Sequence, residues 1–241
     1  MEKLSLLKAL VMASCGSRRE MAAAVKSSRV CVNGAVVSAF TQALVPGDSL
    51  TIDGKPLKIP TQEFLYILLN KPTGILCATE DARGRQTIME LLPSHMRLAG
   101  LHAVGRLDLD SCGLLIITND GALTYHLTHP RFEQEKEYAL TLNRPLSRTD
   151  QEQMEHGLTL SDGVTSPVAV RPHHALPNVC YVTLHEGRKR QLRRMFGSLG
   201  YRVMQLKRIR EGHLLLGDLP LGHSRLLTEI EVAQLRSCVA E

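Results

Sequence analysis

Gly105-Arg106-Leu107-Asp108-Leu109-Asp110-Ser111-Cys112-Gly113 runs straight into Leu114-Leu115-Ile116-Ile117 and stops at Thr118-Asn119-Asp120-Gly121. An unbroken aliphatic run bounded by glycine and an Asn-Asp-Gly turn signal has no exposed face to give away, so it reads as a buried strand. Asp108 then sits on the loop that feeds a core strand, where rigid backbone fixes a carboxylate. A carboxylate so placed serves as a nucleophile, a base or a metal ligand, and Arg106 offers it a charge partner or reaches a phosphate. The plain alternative is a turn aspartate, and a motif this short does not choose between them.

Outward from this stretch the chain alternates short strands with a few helices. Phe64 to Leu69 reads as a buried strand ending in a turn over Asn70-Lys71-Pro72-Thr73-Gly74. Asp81 to Arg85 reads as a polar loop able to reach a ligand, followed by a helix-like piece over Ile88 to Leu92. Downstream come a helix over Ala122 to Leu127 and an alternating strand, Lys136 to Leu142, that puts Tyr138 on one face with Lys136 and Leu140. A helix near Thr149–His156, capped by Ser147 or Thr149, precedes strands at Val168–Arg171 and Cys180–Leu184. From Glu186 to Phe196 the apolar Leu192, Met195 and Phe196 mark one helical face and the arginines the other. Short strands at Val203–Leu206, Leu214–Leu216 and Leu226–Glu229 and a terminal helix close an α+β sheet domain over 64–241.

The first sixty residues read as a separate module, 1–60, with Pro60-Thr61-Gln62-Glu63 as a linker. Leu4, Leu7, Leu10 and Val11 recur at helical spacing, and Ser17-Arg18-Arg19-Glu20 is a capping box opening a helix through about Ser27. Val30 to Val37 with Asn33-Gly34, and Leu50 to Leu57 with Asp53-Gly54, are hairpin signals.

Charge placement narrows the partners. The net charge is +5; residues 1–60 hold 8 Lys/Arg against 4 Asp/Glu, and residues 61–241 hold 21 against 20. Within the second part, His185 to Arg210 gathers 9 basic residues around the single Glu186. Two basic patches on a balanced chain point to a polyanion, nucleic acid first.

Other classes recede. No apolar run reaches a membrane span and no signal-peptide core follows Met1, so a soluble, cytoplasmic protein is expected; a monomer is expected as well. The 6 cysteines have irregular spacing without a Cys-x-x-Cys pair, and neither His126/His129 nor His173/His174 has zinc-site company, so no metal is expected. No phosphate loop and no Gly-x-Gly-x-x-Gly is present, which leaves no cofactor to expect and favours isomerisation or hydrolysis over redox chemistry. Three segments remain for chemistry. Asp108 is a carboxylate that a cation could keep ionised, Tyr138 a planar surface with a proton-transferring hydroxyl, and Arg188 to Arg194 a cationic block.

On these residues the chain resembles the RsuA/RluB family of bacterial ribosomal RNA pseudouridine synthases. The resemblance runs from about residue 3 to 235 through Lys71-Pro72-x-Gly74, Val104-Gly105-Arg106-Leu107-Asp108, Thr118-Asn119-Asp120-Gly121, Leu127-Thr128-His129-Pro130, Lys136-x-Tyr138, Glu186-Gly187-Arg188-x-Arg190-Gln191-x-Arg193-Arg194-Met195 and Leu206-Lys207-Arg208. The front part resembles the αL RNA-binding module of the ribosomal-protein S-four type through Ser17-Arg18-Arg19, Val30-x-Val32-Asn33-Gly34 and Pro46-Gly47-Asp48, with Ser28 where that family has glycine.

What the resemblance implies is an aspartate-driven isomerisation of uridine to pseudouridine in ribosomal RNA, without cofactor. Asp108 matches the attacking aspartate; attack on the sugar and attack on the base both remain open. Tyr138 matches the tyrosine that stacks on the target base and accepts the proton from carbon 5. Arg193 matches the basic residue that pairs with the aspartate, Leu192 a pocket apolar residue, and Arg106 the arginine that fills the place of the flipped nucleotide. Arg190, Arg194, Lys207, Arg208 and Lys71, with Arg18 and Arg19 on the module, are the expected RNA contacts. Ser111 stands for the usual threonine and Gln86 for a common proline. The arginine block leans to the large-subunit branch. The alternative from another class is a non-catalytic RNA-binding or ribosome-assembly protein, which would not need Asp108, Tyr138 and Arg193 together.

Overall fold

A computed structural model describes residues 4–13, 16–45, 47–58 and 64–237. The expected linker over 60–63 and Pro46 of the Pro-Gly-Asp turn lie outside the described residues. The chain divides into two compact units, Met1–Phe64 with Arg97–Leu101, and Leu65–Met96 with His102–Glu241.

The first unit contains β1 (Leu4–Ser5), α1 (Leu6–Met12), α2 (Arg18–Lys26), β2 (Val30–Val32), β3 (Ala35–Val36), β4 (Ala43–Leu44), β5 (Leu50–Ile52) and β6 (Lys55–Leu57). Leu4, expected in the first helix, is in β1 paired with β4, because Ser5 caps α1 by accepting from the Lys8 amide. Ser17 and Glu20 close the capping box on α2 in both directions. The four-stranded sheet runs β3-β2-β5-β6. Its two turns place Asn33-Gly34 at φ 52° and 78° and Asp53-Gly54 at 49° and 74°, the left-handed pair that a two-residue hairpin loop requires. Ser28 also takes a left-handed φ of 58°, which is the physical reason a glycine suits that position. Leu6, Leu10, Val25 and Val30 are fully buried in one core under both helices.

The second unit contains β7 (Tyr66–Lys71), β8 (His102–Ala103), β9 (Cys112–Thr118), α3 (Gly121–Thr128), β10 (Lys136–Leu142), α4 (Arg148–His156), β11 (Thr159–Leu160), β12 (Gly163–Val164), β13 (Ala169–Pro172), β14 (Val179–Leu184), α5 (Gln191–Ser198), β15 (Val203–Glu211), β16 (Leu214–Leu215), β17 (Ser224–Leu226) and α6 (Glu229–Ser237). Its 9-stranded sheet runs β13-β14-β10-β15-β9-β7-β17, with β16 on β15 and β8 on β9. Only the β9–β15 pairing is parallel among the described ladders, so the sheet is mixed and mainly antiparallel. The aliphatic run of β9 is fully buried at its centre, flanked by β7 and β15.

Three expectations change in detail. β7 continues through Asn70 and Lys71, where a turn was expected; the Lys71 ammonium can be buried there because carbonyl oxygens receive it. α5 starts at Gln191 rather than near Glu186, since Arg190 stands at φ 51°, outside helical space. β15 extends to Glu211, carrying Lys207 and Arg208 into the sheet.

The parallel contact also explains Gly113. It sits at φ 106° against the backbone of Arg208, and a Cβ there would collide with the Arg208 carbonyl. Close approach of two backbones at a strand needs glycine.

Candidate active site

A cleft of about 830 Å³ opens in the second unit. Arg106, Asp108, Tyr138, Arg190, Leu192 and Arg208 all line it, so segments distant in sequence converge there. Sheet order accounts for this: β9, fed by the Asp108 loop, and β10, carrying Tyr138, both flank β15, which carries Arg208.

The backbone of the Asp108 loop is pinned at several points. The Leu107 amide donates to Cys77 Sγ at 3.3 Å, and the Leu109 carbonyl accepts from the Gly74 amide at 2.7 Å. The Ser111 amide closes a turn onto the Asp108 carbonyl at 3.1 Å. Lys71, fully buried, donates from Nζ to the carbonyls of Pro72, Asp108 and Ser111 at 2.9, 3.4 and 3.1 Å. Burial pushes the Lys71 ammonium below its ordinary value, and the Cys77, Cys112, Asp108 and Asp110 side chains oppose that shift. Lys71 is therefore a clasp for this loop, with its charge turned away from any RNA phosphate. Against this fixed backbone, the half-buried Asp108 carboxylate has no ion pair or hydrogen bond among the described residues.

The arginine block meets the neighbouring carboxylate. Arg190 forms a two-pronged pair with Asp110, Nη1 and Nη2 at 3.0 and 2.9 Å. Arg193 Nε lies 3.3 Å from Asp110 Oδ2, its Nη2 donates to the Asp110 carbonyl at 2.8 Å, and its Nη1 donates to the Val203 carbonyl at 2.9 Å. The expected Arg193–Asp108 pair is thus replaced by an Arg193–Asp110 pair. Asp110 is the anchor between the loop and α5. The Arg190 guanidinium holds the Asp110 carboxyl below its ordinary range, with Arg193 adding to the effect and burial opposing it.

Tyr138 is 9% exposed and directly opposite Arg208 in the β10–β15 ladder. Burial pushes its phenol above the ordinary value, the Arg208 guanidinium pulls it down, and Glu211 and Asp108 push it up. Arg208, expected to touch RNA, is 1% exposed. It donates from Nε to the Leu114 carbonyl at 2.7 Å, and its Nη2 lies 3.2 Å from Glu211 Oε2, so its charge is committed inside the protein. Lys136 Nζ lies 3.8 Å from the other Glu211 oxygen and donates to the Gln134 carbonyl.

Leu192 is buried at the cleft wall. Arg106 is exposed on the cleft and has no ion pair among the described residues. Arg194 pairs with Asp162 through both prongs at 2.7 and 2.9 Å, and Lys207 is half-buried on β15; neither lines the cleft. Arg18 and Arg19 are exposed on α2 of the first unit.

Sequence reading missed Glu211 and the interior role of Lys136. It quoted Glu186 and Gln191 without a task for them. The Gln191 amide donates to Glu186 and accepts from the Arg188 amide, while Arg188 Nε donates to Glu186, and this knot shapes the 186–190 turn that presents Arg190. Among the described residues, no group of three or more His, Cys, Asp or Glu is placed to hold a metal ion, and no helix is long and apolar enough to cross a membrane.

Residues 65–198 match the sequence profile of the RNA pseudouridylate synthase family. Ribosomal large subunit pseudouridine synthase B of Bacillus subtilis strain 168 is 34% identical over 241 residues, covering 98% of this chain and 96% of that protein. The chain is a member of the RsuA/RluB family of RNA pseudouridine synthases. Ribosomal small subunit pseudouridine synthase A of Escherichia coli strain K12 is 35% identical to this synthase, over 88% of this chain and 90% of that protein. A crystal structure of a pseudouridylate synthase aligns with the synthase at a TM-score of 0.69 and 29% identity, covering 96% of this chain and 99% of that one. The synthase is an isomerase acting on RNA.

Proposed function

We propose that this synthase converts a specific uridine of ribosomal RNA to pseudouridine, with Asp108 as the attacking group and Tyr138 as the proton acceptor. The observation that carries the reading is the contrast at Asp108: a backbone pinned by Lys71, Gly74, Cys77 and the Asp110 anchor, under a carboxylate left unpartnered in the cleft it shares with Tyr138. A group that must form and break a covalent bond needs fixed position and an open face.

The uridine enters flipped out of its stack, since its reacting atoms are inaccessible within one, and Arg106 takes the place it leaves. Asp108 attacks the nucleoside and the glycosidic bond opens, the electron pair staying on the uracil. The ring turns, carbon 5 bonds to carbon 1 of the ribose, and the bond to Asp108 breaks, its electron pair returning to the carboxylate. The carbon 5 proton then passes to the Tyr138 oxygen, its electron pair restores the ring double bond, and the ring nitrogen released from the sugar takes up a proton.

Ribosomal RNA as substrate rests on relatives named for the large and the small ribosomal subunit. The exposed arginines of α2 supply phosphate contacts that raise affinity without touching the chemistry.

Mapping pseudouridines in the ribosomal RNA of a strain lacking this protein tests the reading. One or more sites should vanish, return with the wild-type gene, and stay absent with Asp108→Asn, while the purified variant still binds the RNA. Unchanged sites in the deletion strain would refute ribosomal RNA as substrate, and restoration by Asp108→Asn would refute the nucleophile.

A further inference from the structure

Beneath Tyr138 lies a charged cluster that the attacking aspartate does not use. Glu211 is 0% exposed and Arg208 1% exposed, on one strand; Lys136 is on the neighbouring strand, directly opposite Glu211. Two cations share one carboxylate, so the cluster carries a surplus positive charge inside the sheet. Taking such groups out of water costs far more than a surface pair, and their presence calls for a task beyond stability.

The arrangement of Arg208 indicates the task. Its Nε is held by the Leu114 carbonyl of β9, two residues past Cys112, where the Asp108 loop enters that strand. Its other end is held by Glu211, and its backbone packs against Gly113. It faces Tyr138 from the opposite rung of the ladder. One guanidinium therefore connects the strand fed by the nucleophile loop to the proton acceptor. Neither Glu211 oxygen makes a well-directed hydrogen bond among the described residues, so the carboxylate acts on Arg208 and Lys136 through charge.

We infer that Arg208, fixed by Glu211 with Lys136, is a positioning residue that sets the Tyr138 oxygen toward the target base and supplies the positive charge that lets it take the carbon 5 proton. The inference rests on the proposed role of Tyr138. In that step the carbon–hydrogen bond at carbon 5 breaks, its electron pair enters the ring double bond, and the proton joins a Tyr138 phenolate. A phenolate in a buried site is costly; an adjacent fixed cation offsets the cost. The charged groups around this hydroxyl are Lys136 on its own strand, Arg208 and Glu211 on β15, and Asp108 on the loop before β9. Arg190 also reaches the cleft, and the β14 rung opposite Tyr138 is the apolar Val182.

The test is tritium release from ribosomal RNA transcripts carrying carbon 5-tritiated uridine, followed against pH in single turnover. Removing the positive charge (Arg208→Gln) should move the rising limb of the rate profile to higher pH, and removing the negative charge (Glu211→Gln) should move it to lower pH. Each should change KM by less than about twofold, because uniform substrate binding is untouched. Shifts of the same sign, or none with wild-type rates, would overturn the inference. Each single variant strands a buried charge, so the double variant Arg208→Gln/Glu211→Gln provides the folded control. A turnover loss of about tenfold or more with KM kept would support the role, on the scale that positioned proton transfer contributes; wild-type turnover would overturn it. Tyr138→Phe separates the two levels. If it releases tritium normally, the reading of Tyr138 fails and the inference with it. If it is inactive while the Arg208 and Glu211 variants match wild type, the inference alone fails.

Discussion

Replacing Arg193 by leucine tests whether the arginine block serves the Asp108 loop through Asp110 or acts on Asp108 itself. The Arg193 side chain is 13% exposed and makes three contacts, to the Asp110 carboxylate, the Asp110 carbonyl and the Val203 carbonyl. The ion pair contributes about 0.5–1 kcal/mol, since Asp110 is 47% exposed and retains Arg190. The two carbonyl bonds come from a charged donor in a largely buried position, and their loss should cost about 2–4 kcal/mol of stability. The Asp110 carbonyl lies two residues beyond Asp108, so freeing it lets the carboxylate drift. A displacement of about 1 Å costs on the order of 100-fold in rate. Urea denaturation should show a lowered midpoint at unchanged slope, and single-turnover assays the loss of rate. Double-mutant cycles on stability then identify the partner. Arg193→Leu with Asp110→Asn should be non-additive by about 0.5 kcal/mol or more, and Arg193→Leu with Asp108→Asn additive to within about that value. The reverse pattern, or near-normal stability and turnover of Arg193→Leu, would refute the loop-anchor reasoning.

Three further outcomes follow from the same geometry. Gly113→Ala should destabilise the synthase by about 3 kcal/mol or more, because it adds left-handed strain to a backbone collision with Arg208; a denaturation midpoint equal to wild type would contradict this. Glu231 accepts from the Thr228 amide and pairs with Arg225, and these bonds hold its carboxyl down to about 2 from its ordinary 4.5. A lowered folded-state value stabilises above the ordinary pKa and is lost as pH falls through the folded one, so about 2–3 kcal/mol should disappear between pH 4.5 and 2. Glu231→Gln should flatten that part of the stability curve, and an unchanged acid limb would remove Glu231 from the account. Finally, Arg18→Glu with Arg19→Glu should weaken ribosomal RNA binding and reduce its salt dependence by about two phosphate contacts, with turnover at saturating RNA preserved; equal affinity would deny α2 its phosphate contacts.

What was legible in the sequence is what local patterns encode. The β9 aliphatic run, the Asn33-Gly34 and Asp53-Gly54 turns and the Ser17 capping box each carry their cause within a few residues, and all form as read. Tyr138 and Asp108 were singled out by their types and motif neighbours, and the structure brings both to one cleft. Partner choice was not legible. Arg190 and Arg193 lie 80 and 83 residues from Asp110, and which carboxylate of Asp108-Leu109-Asp110 they reach depends on the turn that closes from Asp108 to Ser111. Basic residues on alternating strand positions look alike in sequence, yet the pleat sends successive side chains to opposite faces. On β15, Lys207 is half-buried while Arg208 is enclosed with Glu211. Charge counting therefore finds the basic window from His185 to Arg210 but assigns all of it to RNA.

The structure divides that window by task, and the division makes chemical sense. An arginine bound to a phosphate is committed to the substrate and moves with it, whereas an arginine fixed on a protein carbonyl and a protein carboxylate holds its place before the substrate arrives. Arg193 and Arg208 are of the second kind, one anchoring the Asp108 loop and the other facing Tyr138. Arg106 is left open to the substrate, exposed on the cleft with no ion pair among the described residues. Arg190 stands between them: it is exposed at the cleft, yet paired with Asp110. A phosphate that drew Arg190 away would leave Asp110 still held by Arg193, so the loop can exchange one anchor for substrate contact while the other keeps Asp108 in position.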